Sequence, residues 1–361
     1  MRKFLKEYPL FVSIIALFIL GYYEELIAVN LLGNIIGFLI SFVIIVYASM
    51  SVAHHAEALA EKFGEPYGTM ILTISAVTVE IVLISIMMLH ENNPTLARDT
   101  IYSAIMLDIN GLLGFAAIVG GIKYGEQAYN VDSSNTYLSM LLAAIGISMI
   151  IPDFIKPELY DRFMFFNIII FIALYLVFTR IQLKDHRYFF QYKANTKKNI
   201  SNTYPHDKEN IKINAPYHIF MLIILIVMIG LLSEILAVFI ANDIQYLGLP
   251  MAISAVAVAV ISAAPELVTA VRAALDNRMQ TVINIAFGAS LATVLLTIPA
   301  VIAIGFITGL KTELGLTPIQ GVMIGLTLLI SMVNFSDGET NMLEGFLHIV
   351  LFILFSFLLF A

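Results

Sequence analysis

The sequence predicts an all-α polytopic membrane protein with eleven transmembrane helices: one extra N-terminal helix and two five-helix repeats of inverted topology. Three observations carry this. Of 361 residues, 60% are hydrophobic and 12% charged, about half the charged share of an ordinary soluble domain, and the mean hydropathy is +0.92. Eleven apolar stretches follow one another, most of them long enough for the hydrocarbon core of a bilayer. One long polar loop, rich in Lys and Asn, leaves five stretches on either side once the first is set aside.

In order, the stretches are Pro9–Tyr23, Leu31–Ala60, Gly68–Leu89, Thr100–Gly121, Thr136–Ile151, Phe163–Gln182, Tyr217–Ile240, Leu249–Ala274, Thr281–Thr308, Thr317–Asn334 and Met342–Phe360. Residues 1–30 form the N-terminal helix, 31–182 the first repeat, 183–216 a cytoplasmic linker loop and 217–361 the second repeat. The start, Met1–Lys6, resembles that of a signal peptide, but no small-residue cleavage site follows, so it reads as a retained first helix. The second stretch ends in an amphipathic tail, His54–Lys62, which emerges into water or a cavity. Orientation follows from the basic residues. With the N-terminus inside, 15 of the 19 Lys and Arg lie on the inner side, and Arg98, Lys156, Arg162 and Lys311 lie outside. An odd number of spans then places the C-terminus outside. The expected location is the cell inner (plasma) membrane, multi-pass, with a cytoplasmic N-terminus.

Two carboxylates interrupt the apolar spans. Glu266 lies in Ser262-Ala263-Ala264-Pro265-Glu266-Leu267-Val268-Thr269, and Glu80 ends Thr73-Ile74-Ser75-Ala76-Val77-Thr78-Val79-Glu80. An ionised carboxylate at mid-bilayer costs roughly 2.5–3.5 kcal/mol on insertion scales. No basic residue lies near Glu80 in sequence, and Arg272 is the first after Glu266. Pro265 removes a backbone donor, and a broken helix whose freed carbonyls line a cavity is a known way to bind an ion in a membrane. Glu80 and Glu266, one in each half, are therefore the candidate cation and proton site. Two carboxylates neutralise a divalent ion, and carbonyls, hydroxyls and water complete its shell. Emptied, the pair is disfavoured by desolvation and mutual repulsion. Protons and metal then compete for the same oxygens, and that competition is exchange.

Around the pair, Thr73, Thr78, Ser262 and Thr269 are supporting candidates, with a hydroxyl bonded back to its own helix as the alternative. Asn110, Asn284 and Ser290 are candidate ligands or helix-packing residues. Asp108 is a third mid-span carboxylate, a second cation or proton site or the partner of a polar group on another helix. Glu57 and Glu234, in corresponding helices, and His54 and His55, which titrate near neutrality, are proton-path candidates. Asp337, Glu339 and Glu344 open the last helix, where acidic residues suit the helix dipole. With no Cys, thiolate metal sites, disulfides and Cys nucleophiles are excluded. His-Glu-x-x-His and a glycine-rich phosphate loop are absent. The basic residues Lys193, Lys197 and Lys198 read as topology determinants that at most touch anionic lipid.

The two halves correspond in outline. Each Glu-bearing span leads to a span with small and amide residues at its middle, Ser103–Gly111 and Asn284–Ser290. On these residues, most specifically on Ala263-Ala264-Pro265-Glu266-Leu267-Val268-Thr269-Ala270-Val271 with Asn277-Arg278-Met279 and Gly288-Ala289-Ser290, and on Asp337-Gly338-Glu339-Thr340-Asn341-Met342-Leu343-Glu344-Gly345 and Ala56-Glu57-Ala58-Leu59-Ala60-Glu61-Lys62-Phe63-Gly64, the chain resembles the cation/calcium exchanger superfamily. Within it, the chain is similar to the bacterial calcium (or sodium)/proton antiporters, over nearly its whole length. The resemblance implies that Glu80 and Glu266 face each other across a pseudo-two-fold axis and bind the cation, supported by the helices of Asn110 and Ser290. It implies alternating access in which helices one, two and seven slide over a core.

The chain departs from the family pattern where Val77-Thr78-Val79 replaces a Gly-Asn pair, Leu267 a His, and Asp108 a neutral residue. The implied function is exchange of cytoplasmic Ca²⁺ for H⁺, with Na⁺ or K⁺ as the alternative cation and a channel or intramembrane enzyme as remote alternatives. No cofactor is implied beyond the transported ions. The partners are inorganic cations, the lipid bilayer and, as an arrangement left open, a homo-oligomer, with no nucleic acid.

Overall fold

A computed structural model describes residues 7–27, 30–63, 67–191 and 213–360. The basic residues Arg2, Lys3, Lys6, Lys193, Lys197 and Lys198 lie outside these. Among the described residues, eight helices are long and apolar enough to cross a membrane. They are α2 (Leu31–Phe63), α3 (Tyr67–Glu91), α4 (Leu96–Tyr124), α5 (Val131–Phe154), α6 (Pro157–Asp185), α7 (Ala215–Leu247), α8 (Ala252–Leu275) and α9 (Met279–Thr308). Three shorter apolar helices join them: α1 (Tyr8–Ile27), α10 (Pro318–Asn334) and α11 (Met342–Leu358). Each apolar stretch of the sequence falls on one of these helices, and the differences are at the ends.

The ends have local causes. Pro157, Pro216 and Pro318 sit in the first turns of α6, α7 and α10, where a missing N–H removes no helical bond. Asn130 caps α5, Asn341 caps α11, and Thr317 with Gln320 forms a capping box on α10. Glycines in left-handed backbone end α7 and α9, Gly248 at φ 62° and Gly309 at φ 76°, as helix C-termini commonly require.

Pro265 does not break α8, which runs unbroken through it. The irregularities expected there lie elsewhere. α4 widens into a π turn at Leu107–Leu112, α5 at Gly146–Ile150 and α9 at Thr293–Thr297. Such turns recur at functional sites.

The two 33-residue helices α2 and α7 pair along their length, and α1 packs on both. α8 lies against α4 and α9, and α11 against α4. Hydrogen bonds identify the two ends of the bundle. At the linker end, Lys62 reaches Ile213 O, Lys123 reaches Leu275 O and Asn130 N reaches Gln280 Oε1. A short antiparallel ribbon completes this end, β1 (Glu126–Ala128) against β2 (Glu339–Asn341). At the opposite end, Arg98 reaches Gly315 O, Tyr160 reaches Thr312 O and Glu313 N reaches Pro94 O.

Candidate cation site

A cavity of about 470 Å³ enters the bundle from the linker end. Its deep wall carries Glu80 from α3, Asp108 from α4 and Glu266 from α8. All three lie within electrostatic reach of one another. Among the described lining residues there is no Lys or Arg, so cations or protons must balance these charges.

Glu80 is held from one side. It is 4% exposed, and its Oε2 accepts hydrogen bonds from Thr293 Oγ1 at 2.9 Å and Thr297 Oγ1 at 2.8 Å. Both threonines come from the π turn of α9. Its Oε1 is buried and has no protein partner. Asp108 repeats the division: it sits in the π turn of α4, its Oδ2 accepts from Ser290 Oγ on α9 at 3.2 Å, and its Oδ1 is unpartnered. A buried carboxylate oxygen without a donor asks for water, a proton or an ion. Two such atoms on one cavity make it the candidate cation site. Glu266 is half-buried and follows Pro265.

Of the supporting candidates, Thr73, Ser262, Thr269 and Asn284 line the cavity. Ser262 and Thr269 donate back to Ala259 O and Pro265 O at 3.0 and 2.9 Å, which leaves their oxygens free to accept. Asn284 is tied up near the mouth, donating to Phe190 O and accepting from Gln280. Ser290 is not among the lining residues and bonds Asp108 instead. Thr78 bonds Ile74 O on its own helix at 2.6 Å and is not among the lining residues. Asn110 turns away from the cavity toward α10 and α11.

The proton-path candidates separate likewise. Glu57 is exposed and lines the cavity, whereas Glu234 is exposed and does not. His54 is exposed, outside the lining. His55 is buried in a chain joining three helices: Tyr217 donates to Glu7 at 2.6 Å, Glu7 meets His55 Nε2 at 3.1 Å, and His55 Nδ1 meets His218 Nδ1 at 2.9 Å.

Thr293 and Thr297 were not foreseen. Their signal is two hydroxyls four residues apart in an apolar span, just before Pro299. Among the described residues no three His, Asp or Glu side chains converge as a preformed metal cage.

The family described as Sodium/calcium exchanger protein matches residues 33–184 and 217–361. The sodium-potassium/proton antiporter ChaA of Escherichia coli (strain K12) is 32% identical over 354 residues, covering 97% of this chain and 94% of that protein. The putative ionic transporter y4hA of Sinorhizobium fredii is 31% identical over 316 residues, covering 86% of this chain and 84% of that protein. The solved Ca²⁺/H⁺ antiporter protein YfkE shares the fold, with a TM-score of 0.76 at 18% identity over 97% of this chain and 98% of that one.

Proposed function

The chain belongs to the sodium/calcium exchanger protein family of membrane transporters, and from that premise we propose that it is a secondary antiporter exchanging cytoplasmic Ca²⁺ for H⁺ at Glu80, Asp108 and Glu266. The observation that carries this is the cavity itself: three carboxylates, two of them with a free buried oxygen, and no basic side chain among the described lining residues. In low dielectric, three ionised carboxylates repel strongly, so the site crosses the membrane only when cations or protons fill it. Occupancy is then either metal or protons, and the proton gradient drives the metal out.

All eleven helices span the membrane in this reading, with the linker end cytoplasmic. Basic residues gathered at that end support the orientation. The two family matches, one on each side of the linker, support two repeats. The cavity is then open to the cytoplasm. Alternating access comes from α1, α2 and α7 sliding over the other helices. Side-chain hydrogen bonds tie that trio together, Glu7 to His55 and Tyr217, and Asn34 to Asn242, which supports its moving as one body.

A second reading takes Na⁺ or K⁺ as the cation. It is favoured by the sodium-potassium/proton antiporter that matches nearly the whole chain. Three carboxylates suit it too, since an odd charge count admits a monovalent ion or proton beside a divalent one.

Everted vesicles with a respiratory pH gradient and a fluorescent ΔpH probe test both. Ca²⁺, Na⁺ and K⁺ are added separately to wild type and to Glu266→Gln. Collapse of the gradient by Ca²⁺, lost in the variant, is the expected result. Collapse by Na⁺ or K⁺ alone selects the second reading, and no cation-dependent collapse rejects antiport.

A further inference from the structure

A second buried polar cluster lies behind Asp108. Asp108 and Asn110 share the π turn of α4 but leave it in opposite directions, because residues two apart on a helix stand roughly 200° apart. Asn110 is fully buried. Its Nδ2 donates to Thr327 Oγ1 on α10 at 2.8 Å, and its Oδ1 lies 2.9 Å from His348 Nδ1 on α11. An amide oxygen only accepts, so the hydrogen in that contact belongs to His348 Nδ1. His348 Nε2 is buried with no protein partner, and the ring lies 5.4 Å from that of Phe335. The Asn110 contact is thus the hydrogen bond that orients this imidazole.

The imidazole has little freedom to move. A Cβ added at Gly114 of α4 would stand 2.9 Å from His348 Cβ, and one at Gly345 of α11 would stand 2.7 Å from Gly114 O. α11 therefore presses directly on α4 beside the π turn. Such a turn gives up the regular backbone ladder, so its rotation needs an outside anchor. Asn110, fixed between His348 and Thr327, supplies one.

We propose that His348 is a positioning residue: through Asn110 it sets the rotation of the π turn of α4 and so aims the Asp108 carboxylate into the cation cavity. This rests on the reading of the cavity as the transport site. His348 touches no ion; its effect passes through Asp108.

The test is a double-mutant cycle in everted vesicles, read as the half-saturating cation concentration against the maximal rate. His348→Leu should raise the half-saturating concentration about tenfold, with the maximal rate per inserted molecule changed less. His348→Asn, whose amide can donate to Asn110, should recover most of the loss. In an Asp108→Asn background, His348→Leu should change the value less than twofold. If His348→Leu fails to insert, Thr327→Val, which removes the other anchor of Asn110, is read through the same cycle. Equal effects of His348→Leu with and without Asp108 would overturn the proposal while leaving the transport site standing. An Asp108→Asn variant with unchanged cation dependence would overturn both the proposal and the role of Asp108 in the site.

Discussion

Valine at position 297 keeps the shape of threonine and removes a hydroxyl that holds Glu80. Thr297 is fully buried, so water cannot easily replace the lost donor. A hydrogen bond to a charged group contributes about 1.5–3 kcal/mol and a neutral one about 0.5–1.5 kcal/mol. The hydroxyl therefore favours ionised over protonated Glu80 by roughly 1–1.5 kcal/mol, and the ionised form is the one that takes the cation. Because about 1.4 kcal/mol is tenfold, Thr297→Val should raise the half-saturating cation concentration roughly five- to tenfold. Thr293 is 5% exposed and lines the cavity, so Thr293→Val should cost less. The double variant should cost at least as much as Thr297→Val alone. Gradient collapse titrated with each cation in everted vesicles reads all three. A half-saturating concentration for Thr297→Val within twofold of wild type would show that Glu80 is not held in this way.

Other expectations follow from the same geometry. Glu80→Gln and Glu266→Gln should each abolish cation-dependent collapse while inserting normally, as judged by size-exclusion profiles in detergent. Asp108→Asn should change the number of protons moved per cation, read from the cation gradient that just balances a set ΔpH. Gly345→Ala would place a Cβ 2.7 Å from Gly114 O and Ile118 N. Overpacking of that kind costs roughly 1–3 kcal/mol, and a lowered melting midpoint in detergent should report it. The chain has no native Cys, so single cysteines can map access. Thr269→Cys should react with an impermeant thiol reagent from the linker side, and Ser254→Cys should not.

The carboxylates were legible because charge in an apolar span has no ordinary explanation. Their surroundings were not. Asp108 and Asn110 are two residues apart, and sequence spacing cannot say which faces the cavity once a π turn shifts the rotation of everything around it. Thr78 is two residues from Glu80 on the regular helix α3, so it stands on the opposite side and donates to Ile74 O. The hydroxyls that do hold Glu80 lie 213 and 217 residues away on α9, a distance no local pattern bridges. The helix break expected at Pro265 is absent: α8 passes through it, and the widened turns beside the cavity sit in α4 and α9. The ribbon of β1 and β2 gave no signal, since three-residue strands are too short for an alternating pattern.

The arrangement of polar contacts divides the molecule into two bodies in a way that suits the proposed sliding. Glu7, His55, Tyr217 and His218 bind α1, α2 and α7 together at the linker end, and Asn34 with Asn242 binds α2 to α7 at the other. Glu80, Asp108, Ser290, Thr293 and Thr297 bind α3, α4 and α9 together beside the cavity. Parting a buried interhelical hydrogen bond in a membrane costs about 0.6–2 kcal/mol, whereas exchanging one apolar contact for another costs little. Motion along the seam between the bodies is therefore cheaper than motion within either. In the proposed mechanism the carboxylates keep their donors while the seam opens first on one side and then on the other, so that a bound cation would keep its shell as access changes.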